Sequence, residues 1–148
     1  MTARKILFPT DFSHTGDAAL ELATSLARER GATLMVVHVE EPPAAYGGGE
    51  MYYGMPEPAI DDLEQMLAEV VPAGSDVAVE HRLITGDPAS AIARLAEEED
   101  VELIVMGTHG RTGLLRLLMG SVAEVVVRQA SCPVLTYKQP PANSTDDS

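Results

Sequence analysis

A single cysteine, Cys132, excludes an intrachain disulfide and fits a reducing compartment. Long apolar runs are missing as well. The opening stretch MTARKILFPTDF is too short in its apolar part for a signal peptide and too charged for a membrane helix. A cytoplasmic location without membrane contact is therefore expected. Basic residues are scarce: 10 stand against 23 acids, the lysines are Lys5 and Lys138 alone, and the net charge is −13. So acidic a surface lacks the basic footprint that nucleic acid or anionic lipid requires. A Walker Gly-Lys-[Ser/Thr] is absent, and no G-x-G-x-x-G follows the first apolar run. The histidines have no metal-ligand spacing. What remains is 148 residues and 15.7 kDa, the size of one domain with a core of its own.

Short β-branched runs alternate with longer amphipathic ones. Lys5–Thr10, Thr33–Val39, Val77–Ile84, Leu103–Met106 and Val134–Tyr137 read as strands. They are almost continuously apolar, which fits strands covered on both faces. Thr15–Arg30, Ile60–Val71, Pro88–Glu98 and Val122–Gln129 carry helical spacing, with Gly31 as a stop and Asp87-Pro88 as a start. The alternation predicts an α/β fold: a single open five-stranded parallel sheet with right-handed crossovers and helices on both faces. Two stretches break the rhythm. Glu41–Pro58 is long for a connection and rich in Pro, Gly, Tyr and Met, so a lid, a protomer contact or a floppy insertion all fit it. Residues 139–148 are polar with two prolines and read as a disordered tail behind a domain at 1–138.

After the fourth strand the chain reads GTHGRTGLLRLLMGSVAE. Gly107, Gly110, Gly120 and Ser121 form the spacing Gly-x2-Gly-x9-Gly-Ser. Glycines let backbone N–H groups approach phosphate oxygens, because no Cβ intervenes. A helix expected to start at Ser121–Val122 adds its free N–H groups and dipole. No acid occurs from Leu103 to Ala123, while His109, Arg111 and Arg116 do, so positive potential is available locally. A purely structural reading stays open: Ser121-Val122-Ala123-Glu124 is also a capping box, and Gly120 also suits a simple turn.

These residues resemble the universal stress proteins of the ATP-binding branch. The likeness runs from Lys5 to about Tyr137, through KILFPTDFS, VVHV, ITGDPASAI and IVMGTHGRTGLLRLLMGSVAEVVVRQASCPVL. It implies a Rossmann-like, adenine nucleotide alpha hydrolase-like fold with strand order 3-2-1-4-5. It also implies roles by position. Asp11 resembles the acid holding the ribose hydroxyls; Pro9, Thr10 and Val39 resemble residues around the adenine. Met106 and Gly107 resemble the strand exit along the nucleotide. Gly110, Gly120, Ser121 and Val122 resemble the phosphate contacts, with Arg111 in reach of the outer phosphate and His109 shaping the loop or bonding a phosphate. The implied cofactors are ATP and a Mg²⁺ held through its phosphates. Taken without the resemblance, Asp11 could simply end a strand before a cap at Ser13, and Val39 and Met106 would be core. His38 reads as a packed strand residue and Cys132 as buried and inert.

No catalytic constellation is legible: neither a Ser/His/Asp order nor paired carboxylates nor a base for a γ-phosphate water. The expectation is a regulatory ATP-binding module that hydrolyses slowly at most, read by an unidentified protein partner. The last strand, Pro133 to Tyr137, would lie at a sheet edge and pair with its copy in a homodimer. The alternatives are a slow ATPase or nucleotide-dependent phosphotransferase, and a nucleotide-free dimeric interaction module.

Overall fold

The computed structural model describes residues 4–12, 17–40, 60–72, 74, 76–108 and 114–138. Within them the chain runs β1 (Lys5–Pro9), α1 (Asp17–Arg30), β2 (Thr33–Glu40), α2 (Ile60–Ala68), β3 (Val79–Thr85), α3 (Pro88–Glu98), β4 (Leu103–Thr108), α4 (Leu114–Gln129) and β5 (Val134–Lys138). The five strands form one sheet in the order β3-β2-β1-β4-β5, each pairing parallel, as expected. The unpatterned Glu41–Pro58 stretch, the start expected at Thr15 and the expected tail lie outside the described residues.

Strand alternation explains why both faces are buried. Ile6 and Phe8 of β1, Leu34 and Val36 of β2 and Val105 of β4 pack with Ala19, Ala23, Ala27 and Leu67 of α1 and α2. Leu7, Met35, Val37, Ile104 and Met106 point the other way and meet Ala89, Ile92, Leu95, Ala96, Ala123 and Val126 of α3 and α4. Each central strand thus has no polar face to spend, which is why it reads as a solid apolar run. The alanines at every fourth position of α1 let that helix lie close to the sheet. Emptying such a site, for example Leu7→Ala, would cost about 2–5 kcal/mol.

Helix ends follow their local chemistry. Gly31 has φ 65° and the Ala32 N–H donates to the Ala27 carbonyl at 2.9 Å, closing α1 in a Schellman turn. Asp87 caps α3 as expected: the Ser90 N–H donates to its Oδ2 at 3.1 Å, and Pro88 begins the helix. Several boundaries differ by one to three residues, α2 ending at Ala68 rather than Val71 and β3 starting at Val79 rather than Val77, and one differs by more. The helix expected from Val122 starts two turns earlier, at Leu114. Leu114, Leu115, Arg116, Leu117 and Leu118 are all strong helix formers, and they outweigh the weak cap signal at Ser121.

Candidate functional site

Because all strands are parallel, their carboxyl ends gather on one side of the sheet. The chain leaves β1 in one direction along the sheet, to β2, and returns beyond β1 to β4. Crevices open at such a switch point, here between the exits of β1 and β4. Pro9 contributes to the opening. Lys5 accepts from the Glu102 N–H, whereas the N–H of Thr10 donates to Val37 at 2.8 Å. Odd positions of β1 therefore face β4 and even ones face β2. Pro9 stands where an N–H would continue the ladder to β4, and it has none. The register between these strands accordingly runs over Ile6↔Leu103 and Leu7↔Ile104, while β1 stays paired to β2 as far as Pro9↔Val37.

The β1 exit is a tight turn. Thr10 is tied to β2 by its own N–H, and its carbonyl accepts from Nδ1 of His38 at 2.9 Å. Thr10 Oγ1 accepts from the N–H of Phe12 at 3.0 Å, spanning Asp11. Phe12 has φ 68°, in the region where a side chain is strained, and its ring lies 4.3 Å from that of His38, tilted by 35°. Asp11 sits half-buried between these anchored neighbours.

Val39, Met106 and Val122 come together. Met106 is fully buried, and Val39 and Val122 pack half-buried against the same cluster on the α3/α4 face. Gly107 follows Met106 at the crevice, half-buried and level with Tyr137 of β5. His109, Gly110 and Arg111 lie outside the described residues. Gly120 and Ser121 sit in the helical backbone of α4. This corrects the expectation that Ser121 opens a helix: the amides without an intrahelical partner are those of the turn beginning at Leu114. Cys132 is half-buried rather than buried, and burial pushes its thiol above the usual range, which keeps it protonated.

Two features escaped the sequence reading. The left-handed turn at Phe12 has no glycine or asparagine to announce it. His38 was legible as a strand residue, and alternation puts it on the α1 face with Leu34 and Val36, but its bond to Thr10 depends on where β1 ends.

This arrangement defines a doubly wound, Rossmann-like α/β domain with its switch point between the exits of β1 and β4. The chain belongs to the universal stress protein family, whose profile matches residues 2–138. It is 35% identical over 144 residues to a universal stress protein of Methanocaldococcus jannaschii, covering 93% of this chain and 83% of that one. A universal stress protein of Thermus aquaticus is 34% identical over 135 residues, covering 91% and 98%. Among solved structures, a universal stress protein from Archaeoglobus fulgidus in complex with dAMP superposes with a TM-score of 0.66 at 27% identity, over 92% of this chain and 98% of that one. No helix among the described residues is long and apolar enough to cross a membrane.

Proposed function

We propose that this chain is an ATP-binding universal stress protein: a domain at 1–138 whose nucleotide state sets its conformation or its contacts with a regulatory partner in the cytoplasm. The observation that carries the reading is the placement of the Gly-x2-Gly-x9-Gly-Ser pattern. Gly107 lies one residue before the end of the strand that borders the crevice, and the acid-free stretch that follows leads into the first turn of α4. An anion there meets unpaired helix amides and no carboxylate from its own segment. The dAMP bound by the Archaeoglobus fulgidus relative supports an adenine nucleotide in particular.

In this reading Val39 provides the apolar surface beside the adenine, with Pro9 and Thr10 around it, and the β4 exit at Met106 and Gly107 runs along the nucleotide. Asp11 accepts from the ribose hydroxyls. The segment His109, Gly110, Arg111 and the opening turn of α4 follow the phosphates. Gly120, Ser121 and Val122, whose amides bond within α4, offer the Ser121 hydroxyl and a side-chain-free approach at Gly120. The donors offered to the phosphates are amides, a guanidinium and a hydroxyl. They fit a triphosphate whose Mg²⁺ completes its shell with phosphate oxygens and water. When bound, that ion screens the phosphate charge.

Protein denatured after purification should release ATP detectable by mass spectrometry, and calorimetry on stripped protein should show heat with Mg-ATP. Absence of both overturns the reading and leaves a nucleotide-free interaction module. Hydrolysis faster than about one turnover per second would make it an enzyme instead.

A further inference from the structure

We infer that His38 is the positioning residue of the β1 exit: from the α1 face of the sheet it holds the turn that presents Asp11 to the crevice on the other side. The inference rests on the proposed role of Asp11 and goes beyond it, because His38 belongs to none of the groups assigned to the nucleotide.

The geometry is specific. A carbonyl oxygen only accepts, so the 2.9 Å contact to Thr10 makes Nδ1 of His38 the protonated nitrogen. That bond and the Thr10 N–H to Val37 bond tie one peptide on each side of Thr10 to β2. The residue after Asp11 is held as well. Phe12 keeps a left-handed φ of 68°, which costs free energy for a residue with a Cβ and persists only where the surroundings impose it. Two contacts impose it here: the Phe12 N–H on Thr10 Oγ1, and the Phe12 ring on the His38 imidazole at 4.3 Å. His38 thus touches the residues on both sides of Asp11. Its imidazole takes part in both restraints, one through hydrogen bonding and the other through packing. Without it, Thr10 keeps its ladder bond but its carbonyl loses a partner in a half-buried place, and Phe12 loses what offsets its strained backbone. The backbone that carries Asp11 would then be less restrained, and a ligand would have to order it on binding.

Isosteric substitutions separate this role from plain packing. The amide nitrogen of Asn overlays Nδ1 of histidine, whereas that of Gln overlays Nε2. His38→Asn therefore keeps the donor to Thr10 and His38→Gln does not. Calorimetry should compare Mg-ATP with Mg-bound inorganic triphosphate, which has no ribose. We expect His38→Gln to weaken ATP by about five- to tenfold, the worth of one hydrogen bond, with triphosphate unchanged, and His38→Asn, which keeps the donor but not the ring, to lose clearly less than His38→Gln. Phe12→Leu, which leaves both Thr10 bonds in place, should weaken ATP without affecting triphosphate, and it serves if His38→Gln does not fold. Asn and Gln variants that behave alike, or parallel losses for both ligands, overturn the inference. A readout without nucleotide separates its failure from that of the ATP reading. Hydrogen exchange at the Phe12 amide should speed up roughly tenfold in His38→Gln and clearly less in His38→Asn, which keeps the bond to Thr10. Wild-type protein that binds neither ligand refutes the nucleotide site; unchanged exchange at Phe12 in His38→Gln refutes the positioning role, whatever binds.

Discussion

Nζ of Lys5, at the start of the first strand, lies 2.7 Å from Oε1 of Glu99, the residue that closes α3. The other oxygen of that carboxylate accepts from Arg82 on β3 at 3.0 Å. One acid thereby ties a helix end to the amino end of β1 and to the middle of β3, the strands on either side of β2. The Lys5 hydrogen bond, and then that of Arg82, hold the Glu99 carboxyl below the usual carboxylate range.

The sign of the pH dependence follows. A carboxyl lowered on folding adds stability above its unfolded pKa and loses that contribution as pH falls through the folded value. Glu99→Gln should therefore be less stable than wild type at pH 7, by about 0.5–1 kcal/mol for ion pairs that water still reaches. The difference should shrink from below roughly pH 5 downward. Urea midpoints at pH 7 and pH 4 check this; a gap that widens in acid contradicts it.

Asp100 offers a gain rather than a loss. Its φ is 56°, and it sits where the Val101 N–H donates back to the Ala96 carbonyl at 3.0 Å, a helix-closing position that favours glycine. Asp100→Gly should stabilise the fold by about 0.5–1 kcal/mol, after the extra flexibility of glycine in the unfolded chain is deducted. Thermal unfolding should show a melting point raised by a few degrees. Asp87→Ala, by contrast, removes the cap on Ser90 at the other end of α3 and should cost about 1 kcal/mol.

Gly120→Val separates binding from folding. Gly120 lies within α4, where valine has the better helix propensity, so the fold should hold. A β-branched side chain there should obstruct the phosphates and lower ATP affinity by more than tenfold, or about 1.4 kcal/mol. Calorimetry with a parallel melting curve is the measurement. Full ATP affinity in a folded variant would remove Gly120 from the phosphate site.

The β5 edge bears on assembly. Leu135 is 37% exposed on a strand whose outer side is unpaired within the sheet. A homodimer through Pro133 to Tyr137 should scatter light as twice 15.7 kDa. Leu135→Asp should shift it towards the monomer, since an edge charge opposes strand pairing. A wild-type monomer at micromolar concentration excludes this dimer.

The amino-acid pattern alone determined the alternation of strands and helices, the parallel sheet and the caps at Asp87 and Gly31. Those depend on residues near in sequence: solid apolar runs for strands covered twice, a side-chain oxygen three residues before the amide it caps. The glycine spacing and the acid-free stretch were legible for the same reason. Tertiary structure decided what depends on neighbours far along the chain. The position of β4 beside β1 made Pro9 a break in a ladder rather than an ordinary strand end. The meeting of β2 with the β1 exit turned His38 from a packed residue into a partner of Thr10 and allowed Phe12 its left-handed backbone. Helix α4 begins at Leu114 because propensity over a whole turn exceeds one capping residue, so Ser121 lies inside it. Hydrogen bonds across 28 residues, such as His38 to Thr10, leave no periodicity in the sequence; only the register of the sheet brings them into range.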